Sequence, residues 1–249
     1  MSIAEKLQTI AENEQRVYDA GYAKGQAEGG DTSTAYAEGF AAGKKAEYDA
    51  FWDAYQENGN RTNYSLAFGG TGWAAEGLLK PKYPVRPVKA YRMFETSTLT
   101  DLTIIDVDFS QCTSFTQCFA SSSFRKIGII DTRSASSLEY MLSGPTALVS
   151  VEKVIFRDDG SQKIDNTTFL GLLSLESITF EGVIGTGNLS MPNSTKLSKA
   201  SITSIINALS TTTSGLTVTL SKTAKEAAFT ADEWAALIAT RTNWTISLV

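Results

Sequence analysis

An apolar pattern that returns four times in the middle of the chain is the strongest constraint on its fold. The units open at intervals of 25, 23 and 27 residues, with Phe94, Phe119, Leu142 and Phe169. Each opening is followed by two apolar residues spaced two apart, as on one face of a short strand: Leu102 with Ile104, Ile127 with Ile129, Val154 with Phe156, and Ile178 with Phe180. Repetition at this period is typical of solenoids, because a single unit cannot bury its apolar row alone.

The spacing from Phe169 through Leu175 and Ile178 to Phe180 resembles the repeat of BspA-like leucine-rich-repeat proteins. This resemblance implies an α/β fold, an irregular leucine-rich-repeat-like solenoid that follows an N-terminal helical, coiled-coil-like segment. The expected solenoid core consists of Phe94, Phe119, Leu142, Phe169, Ile104, Ile129, Phe156 and Phe180.

The chain divides into four predicted regions. Residues 1–43 form a helical anchor or oligomerisation segment, and residues 44–92 an aromatic helical cap and linker. Residues 93–196 form the solenoid, and residues 197–249 a C-terminal αβαβ cap. In this last region we predict a helix that begins at the N-cap Ser198 and a second helix that begins with a capping box formed by Thr230 and Glu233. We predict strands at residues 215–220 and 244–248.

The N-terminal anchor rests on a short apolar seam. Ile3, Leu7, Ile10 and Val17 follow a coiled-coil spacing. Two glycine-rich copies, GYAKGQAEG from Gly21 and AYAEGFAAG from Ala35, come after the seam. Glycine weakens an isolated helix by up to about 1 kcal/mol per site. The glycines are compatible with two interpretations of this segment: a helix that packs closely against a partner helix, and a frayed leader.

The aromatic cap has a helical spacing. Tyr48, Phe51, Trp52 and Tyr55 follow the i, i+3, i+4, i+7 pattern of a buried helical stripe. Exposed aromatic faces would instead indicate sugar binding, but the spacing favours core packing.

The only two cysteines, Cys112 and Cys118, stand six positions apart. Two cysteines without histidine cannot complete a zinc site, and the chain contains no histidine. In the neighbouring unit Ala135 and Met141 occupy the matching positions. We therefore predict free thiols that pack in the core, with no metal and no cofactor.

Composition excludes several further functions. The net charge is −5, and residues 1–60 hold eleven acids against five bases, so no clustered basic face for nucleic acid exists. No apolar run reaches the length of about 20 residues that a membrane span needs. Without histidine the usual general bases are missing, and we predict no catalytic residues and no enzyme. The start lacks the pattern of a secretory signal, so we expect synthesis in a bacterial-type cytosol.

Three other patterns have ordinary explanations. Asp158 and Asp159 precede a glycine and predict a turn rather than a calcium loop. Asp106 and Asp108 are predicted to be solvated turn residues, although paired carboxylates would also fit. GGTGW at 69–73 lacks the lysine of a phosphate-binding loop.

A second set of motifs resembles structural proteins of phages and prophages of gut Firmicutes. The matching stretches are KKAEYDAFWDAYQENGNRTNYSLAFGGTGW, LLKPKYPVRPVKAYRMF, SKASITSIINALS and TADEWAALIATRTNWTISL. The resemblance implies a non-enzymatic virion protein of the tail, baseplate or fibre. Its N-terminal segment would bind other virion proteins, and its repeat region a host surface protein or glycan. A homo-oligomer is expected; the sequence leaves the number of copies open, with a trimer as one form. The alternative is a bacterial cell-surface leucine-rich-repeat adhesin.

Overall fold

A computed structural model describes residues 5–13, 15–16, 19, 49–70 and 81–249, with the side chain of residue 104 excepted. The chain forms two compact units. The first comprises Met1–Arg61 and Ala75–Pro84, and the second comprises Thr62–Ala74 and Val85–Val249. In the described residues no helix has both the length and the apolar character needed to cross a bilayer.

In the first unit, residues 5–13 and 49–55 are helical. The second helical stretch leads to a 3-10 turn, Glu57–Gly59. Trp52 of the aromatic stripe is buried, as predicted for core packing, whereas Phe51 and Tyr55 are half-buried. The fully buried Gln56 donates from its amide nitrogen to the Tyr83 carbonyl at 2.9 Å and accepts from the Tyr83 N–H at 3.0 Å. This amide therefore serves Tyr83 as a neighbouring strand would.

The second unit contains two separate parallel sheets of three strands. The first has the order β1 (Lys126–Asp131), β2 (Ser150–Ile155), β3 (Ser177–Glu181), and the second the order β4 (Leu189–Met191), β5 (Leu216–Leu220), β6 (Trp244–Leu248). The α/β mixture is as expected, but the predicted leucine-rich-repeat-like solenoid is wrong. Its strands do not form one array, and residues 93–125 contain no strand.

Local hydrogen bonding explains the missing strand in the first repeated unit. The residues predicted to alternate there form a 3-10 helix, Leu102–Ile104. The Asp101 carboxylate accepts hydrogen bonds from the Thr103 N–H at 2.8 Å and from the Thr103 hydroxyl at 2.6 Å. Such side-chain bonds offer the backbone an alternative to a sheet ladder.

The sequence repeat instead corresponds to five tight turns, which we call the turn stack. Each turn is centred on a fully buried residue: Phe68, Phe94, Phe119, Leu142 and Phe169. The backbone N–H of each of the first four donates to a carbonyl in the next turn, at 2.7, 2.8, 3.0 and 2.9 Å in order. The first three rings lie parallel, with centroids 5.2 and 5.5 Å apart. Phe68, which the sequence pattern did not include, begins the stack.

Most of the predicted core residues are buried, and one is not. The buried ones are Phe94, Phe119, Leu142, Phe156, Phe169 and Phe180. Ile129 is 48% exposed, so its assignment to the core is wrong. The buried apolar residues of β1 are Ile127 and Ile130, three positions apart. Those of β2 are Val151 and Val154, between which the pairing with β3 shifts register. Relative to β3, β2 therefore carries one extra residue, a bulge that breaks the two-residue alternation. β1 pairs with β2 without a register shift and has the same spacing, so Ile129 lies on the outer face. The side chain of Ile104 lies outside the described part.

The C-terminal region confirms the predicted helix starts. Helix α1 (Lys199–Ala208) begins at Ser198, whose side chain caps it, and α3 (Ala231–Ile238) begins at Thr230 with a complete capping box. The two predicted strands correspond to β5 and β6. Helix α2 (Lys222–Ala228), capped by Ser221, was not predicted.

Helix α1 also covers the edge of the first sheet. The Ser201 hydroxyl accepts from the Ile178 N–H at 3.0 Å, and the Ser204 hydroxyl accepts from the Phe180 N–H at 2.8 Å. These bonds satisfy donors that β3 would otherwise expose, which protects the sheet from pairing with another chain. The opposite edge of the sheet, at β1, lies beside the 3-10 helix Leu102–Ile104. The outer face of the sheet is exposed to solvent at this edge.

Candidate ligand-binding groove

A groove of about 500 Å³ lies on the exposed face of the first sheet, beside the 3-10 helix. We call it the Gly128 groove. Its walls are apolar residues, three polar side chains and one glycine: Leu102, Ile105, Val107, Phe109, Ile129, Thr103, Asp106, Glu152 and Gly128. The volume is within the range of about 300 to 1,000 Å³ that small-ligand sites occupy.

The groove exists because two irregularities meet there. On one side the chain forms a 3-10 helix where the repeat predicted a strand, so β1 lacks a full neighbouring strand. On the other side, the inward residues of β1 and β2 are three positions apart, and the intervening pairs Gly128–Ile129 and Glu152–Lys153 lie on the outer face. Bulges are frequent next to functional sites because they redirect side chains.

Gly128 keeps the middle of the groove empty. A Cβ atom at this position would lie 3.8 Å from Thr103 Cγ2 and 4.0 Å from Glu152 Oε2, which are ordinary contact distances. The backbone here therefore accepts a side chain, and that side chain would enter the groove. Glycine inside a strand weakens the strand, and it often marks a place where a ligand approaches closely.

The charge of the groove comes from two exposed carboxylates, Asp106 and Glu152. Neither forms an ion pair with any residue that the structure describes. Lys153, which follows Glu152, is paired with Glu181 at 2.6 Å. The Thr103 hydroxyl already donates its hydrogen to Asp101, so it offers a ligand only lone pairs. The side chains of the groove thus present acceptors and negative charge above an apolar floor.

The other acidic pairs form turns. The Asp159 carboxylate accepts hydrogen bonds from the Ser161 N–H at 2.9 Å and from the Ser161 hydroxyl at 2.7 Å. The bond from the Ser161 N–H is the main reason that the pKa of Asp159 is lowered. Asp108 accepts from the Ser110 N–H at 2.9 Å. These contacts agree with the predicted turns. The described residues include no group of three or more side chains able to hold a metal ion.

Both cysteines are fully buried free thiols, as predicted. Burial raises the pKa of Cys112 to about 11 and raises that of Cys118 well above its ordinary value. Because the thiolate is the reactive form, these side chains act in packing.

The predicted anchor residues are only partly described. Leu7 is fully buried within the single chain, and Ile10 is half-buried. Burial of Leu7 therefore needs no second copy. Ile3 and Val17 lie outside the described residues, as do the two glycine-rich copies and positions 71–73 of GGTGW.

The sequence pattern did not identify the Gly128 groove. Its one signal was the glycine in KIGIID, because an isolated glycine within a strand pattern suggests a bulge or a close approach. Thr103 and Asp106 come from the first repeat and Glu152 from the third, and no common motif connects them. Comparison with known proteins adds no assignment, since no family model, curated protein or solved structure matches this chain.

Proposed function

We propose that this protein is a non-enzymatic virion protein of a bacteriophage tail region that binds the surface of the host bacterium through the Gly128 groove. The observation that carries the binding role is Gly128 itself, which leaves an open groove where a side chain would be accommodated. A β-branched residue would be favoured in the strand by up to about 1 kcal/mol. A ligand that occupies the groove would explain why glycine stands at position 128 although a β-branched residue would make the strand more stable.

The resemblance to phage structural proteins supports the particle role. In this proposal residues 1–43 attach the protein to other virion proteins, and the second unit faces outward. A cell-surface adhesin would share the groove and differ in its attachment. Mass spectrometry of purified phage particles and of washed host envelopes distinguishes the two, because a virion protein is recovered with the particles.

The test of binding compares three forms of the full chain, each labelled with a fluorophore. Wild type is expected to bind intact cells of host Firmicutes and to saturate. Gly128→Val fills the groove and is expected to reduce binding at least tenfold, which corresponds to about 1.4 kcal/mol. Thr179→Val is the matched control, because Thr179 is an exposed residue on β3 outside the groove. Equal binding by all three forms would remove the groove from the proposed function.

A further inference from the structure

We propose that the Gly128 groove receives a lysine or arginine side chain presented by a protein on the host surface. This inference rests on the proposed function and names the chemistry of the partner. Three properties of the groove support a lysine or arginine ligand: its hydrogen-bonding character, its charge and its apolar floor.

The hydrogen-bonding character selects a ligand made of donors. Asp106 and Glu152 carry only acceptors when ionised, and the Thr103 hydroxyl hydrogen is already given to Asp101 at 2.6 Å. Lysine and arginine head groups are donors without acceptors. A neutral sugar hydroxyl both donates and accepts hydrogen bonds. Asp106, Glu152 and Thr103 would accept its hydrogen but would offer no donor to its oxygen.

The charge of the groove points to the same ligand. Two carboxylates line it, and Asp101 adjoins it through Thr103. Lys126 and Lys153 are the basic residues of β1 and β2. Lys153 is engaged by Glu181, and Lys126 forms no ion pair with Asp106 or Glu152 among the described contacts. The groove lining holds two carboxylates and no lysine or arginine, so its charge is negative and a cation would compensate that charge.

The apolar floor suits the stem of such a side chain. Ile129 is 48% exposed, and Val107 is half-buried beside it. Lysine and arginine bury their methylene stems along apolar surface while the charged head remains at a polar rim. The groove offers both parts of this arrangement, with Gly128 leaving room for the stem.

The experiment measures binding of a fluorescent twelve-residue peptide of alternating lysine and serine by anisotropy at 150 mM salt. The matched probe has the same sequence with every lysine acetylated, which keeps the stem and removes the charge. Wild type is expected to prefer the lysine peptide by about tenfold or more. Tetramers of glucosamine and of N-acetylglucosamine are tested in parallel, and a preference for either sugar would overturn the proposal.

Protein variants locate the effect in the groove. Glu152→Gln and Asp106→Asn are each expected to weaken binding of the lysine peptide about tenfold, and Gly128→Val is expected to abolish it. Glu139→Gln removes the same charge from an exposed residue outside the groove, and its effect should stay below twofold. An equal effect of Glu139→Gln would mean that the net charge of the protein attracts the peptide, which would contradict a defined site. If Gly128→Val does not fold, Glu152→Gln against Glu139→Gln decides alone.

Cell binding separates this inference from the proposed function. Trypsin treatment of the cells, which removes accessible lysine- and arginine-bearing segments, should abolish binding of the wild-type protein. If Gly128→Val loses cell binding but the lysine peptide does not bind, the proposed function stands and the ligand class is wrong. If the peptide binds in the groove but Gly128→Val still binds cells, the ligand class stands and the groove is not the host-binding site.

Discussion

The turn stack and the helix caps of the C-terminal region lie in the same unit but join residues over very different distances along the chain. In the turn stack, the Phe94 N–H bonds to the carbonyl of Cys118 and the Leu142 N–H to that of Thr168. In the C-terminal region, the caps of α1 and α3 join residues three positions apart, Ser198 with Ser201 and Thr230 with Glu233. Long-range contacts must close a loop before they stabilise anything. The turn stack should therefore respond to a single change more strongly than the capped helices.

The largest effect is expected where two backbones touch. Gly187 has φ +87°, and a Cβ atom there would lie 1.9 Å from the Ile164 carbonyl oxygen. Gly187→Ala should reduce the free energy of unfolding by about 5 kcal/mol or prevent folding, because strain and overlap add. Urea denaturation measures the change. Gly128→Ala is the control, since its Cβ meets only ordinary contacts, and similar losses for both would contradict this account.

The second effect tests the stacked rings. Phe119 is fully buried and lies parallel to Phe94, with centroids 5.5 Å apart. Phe119→Ala should lower the free energy of unfolding by about 3 to 5 kcal/mol, through lost burial and the cavity left behind. Trp234→Ala in α3 provides the comparison from the C-terminal region. If the tryptophan variant loses clearly more, the contrast between the two regions is reversed.

A smaller effect tests the helix caps. The Thr230 hydroxyl accepts from the Glu233 N–H at 3.3 Å, and the Glu233 carboxylate accepts from the Thr230 N–H at 3.0 Å. Thr230→Ala should cost about 1 kcal/mol, the usual value for a lost N-cap. Thr230→Ser keeps the hydroxyl and should remain near wild type in thermal unfolding. A cost equal to that of Phe119→Ala would mean that local and distant contacts matter alike.

A change of similar size and opposite sign is expected within the turn stack. Thr96 has φ +54°, a conformation in which a β-branched residue is strained. Gly144 and Gly171 occupy the corresponding place in later turns, with φ +84° and +76°. Thr96→Gly should therefore raise the free energy of unfolding by up to about 1 kcal/mol. Thr98→Gly is the control, and an equal gain there would remove the strain explanation.

The smallest effect concerns pH. Hydrogen bonds from Lys199 and from the Thr230 N–H lower the pKa of the exposed Glu233 to about 2, from an ordinary value of 4.5. A depressed pKa means that the ionised carboxylate stabilises the folded state above pH 4.5 and that this contribution disappears as the pH falls towards 2. The difference in melting temperature between wild type and Glu233→Gln should shrink over that window. A difference that is constant with pH would contradict the assignment.

The sequence by itself determined the features that depend on neighbours along the chain. The hydroxyl of Ser198 and the pair Thr230 and Glu233 located two helix starts, because a cap joins residues only three positions apart. The interval between Phe94, Phe119, Leu142 and Phe169 located buried residues that recur in space. The replacement of the two cysteines by Ala135 and Met141 correctly indicated a packing role.

Only the tertiary structure decided how the repeated units pair and where the groove lies. Asp101 diverts Leu102–Ile104 into a 3-10 helix through two hydrogen bonds, and the three-residue spacing of the buried apolar positions in β1 leaves Ile129 exposed to solvent. An apolar pattern does not encode either choice, because both depend on competition between local side-chain bonds and strand pairing across about 25 residues. The Gly128 groove is the product of these two departures from the repeat. Its carboxylates come from separate elements, Asp106 from the segment after the 3-10 helix and Glu152 from β2, and no local spacing in the sequence specifies that they line one groove.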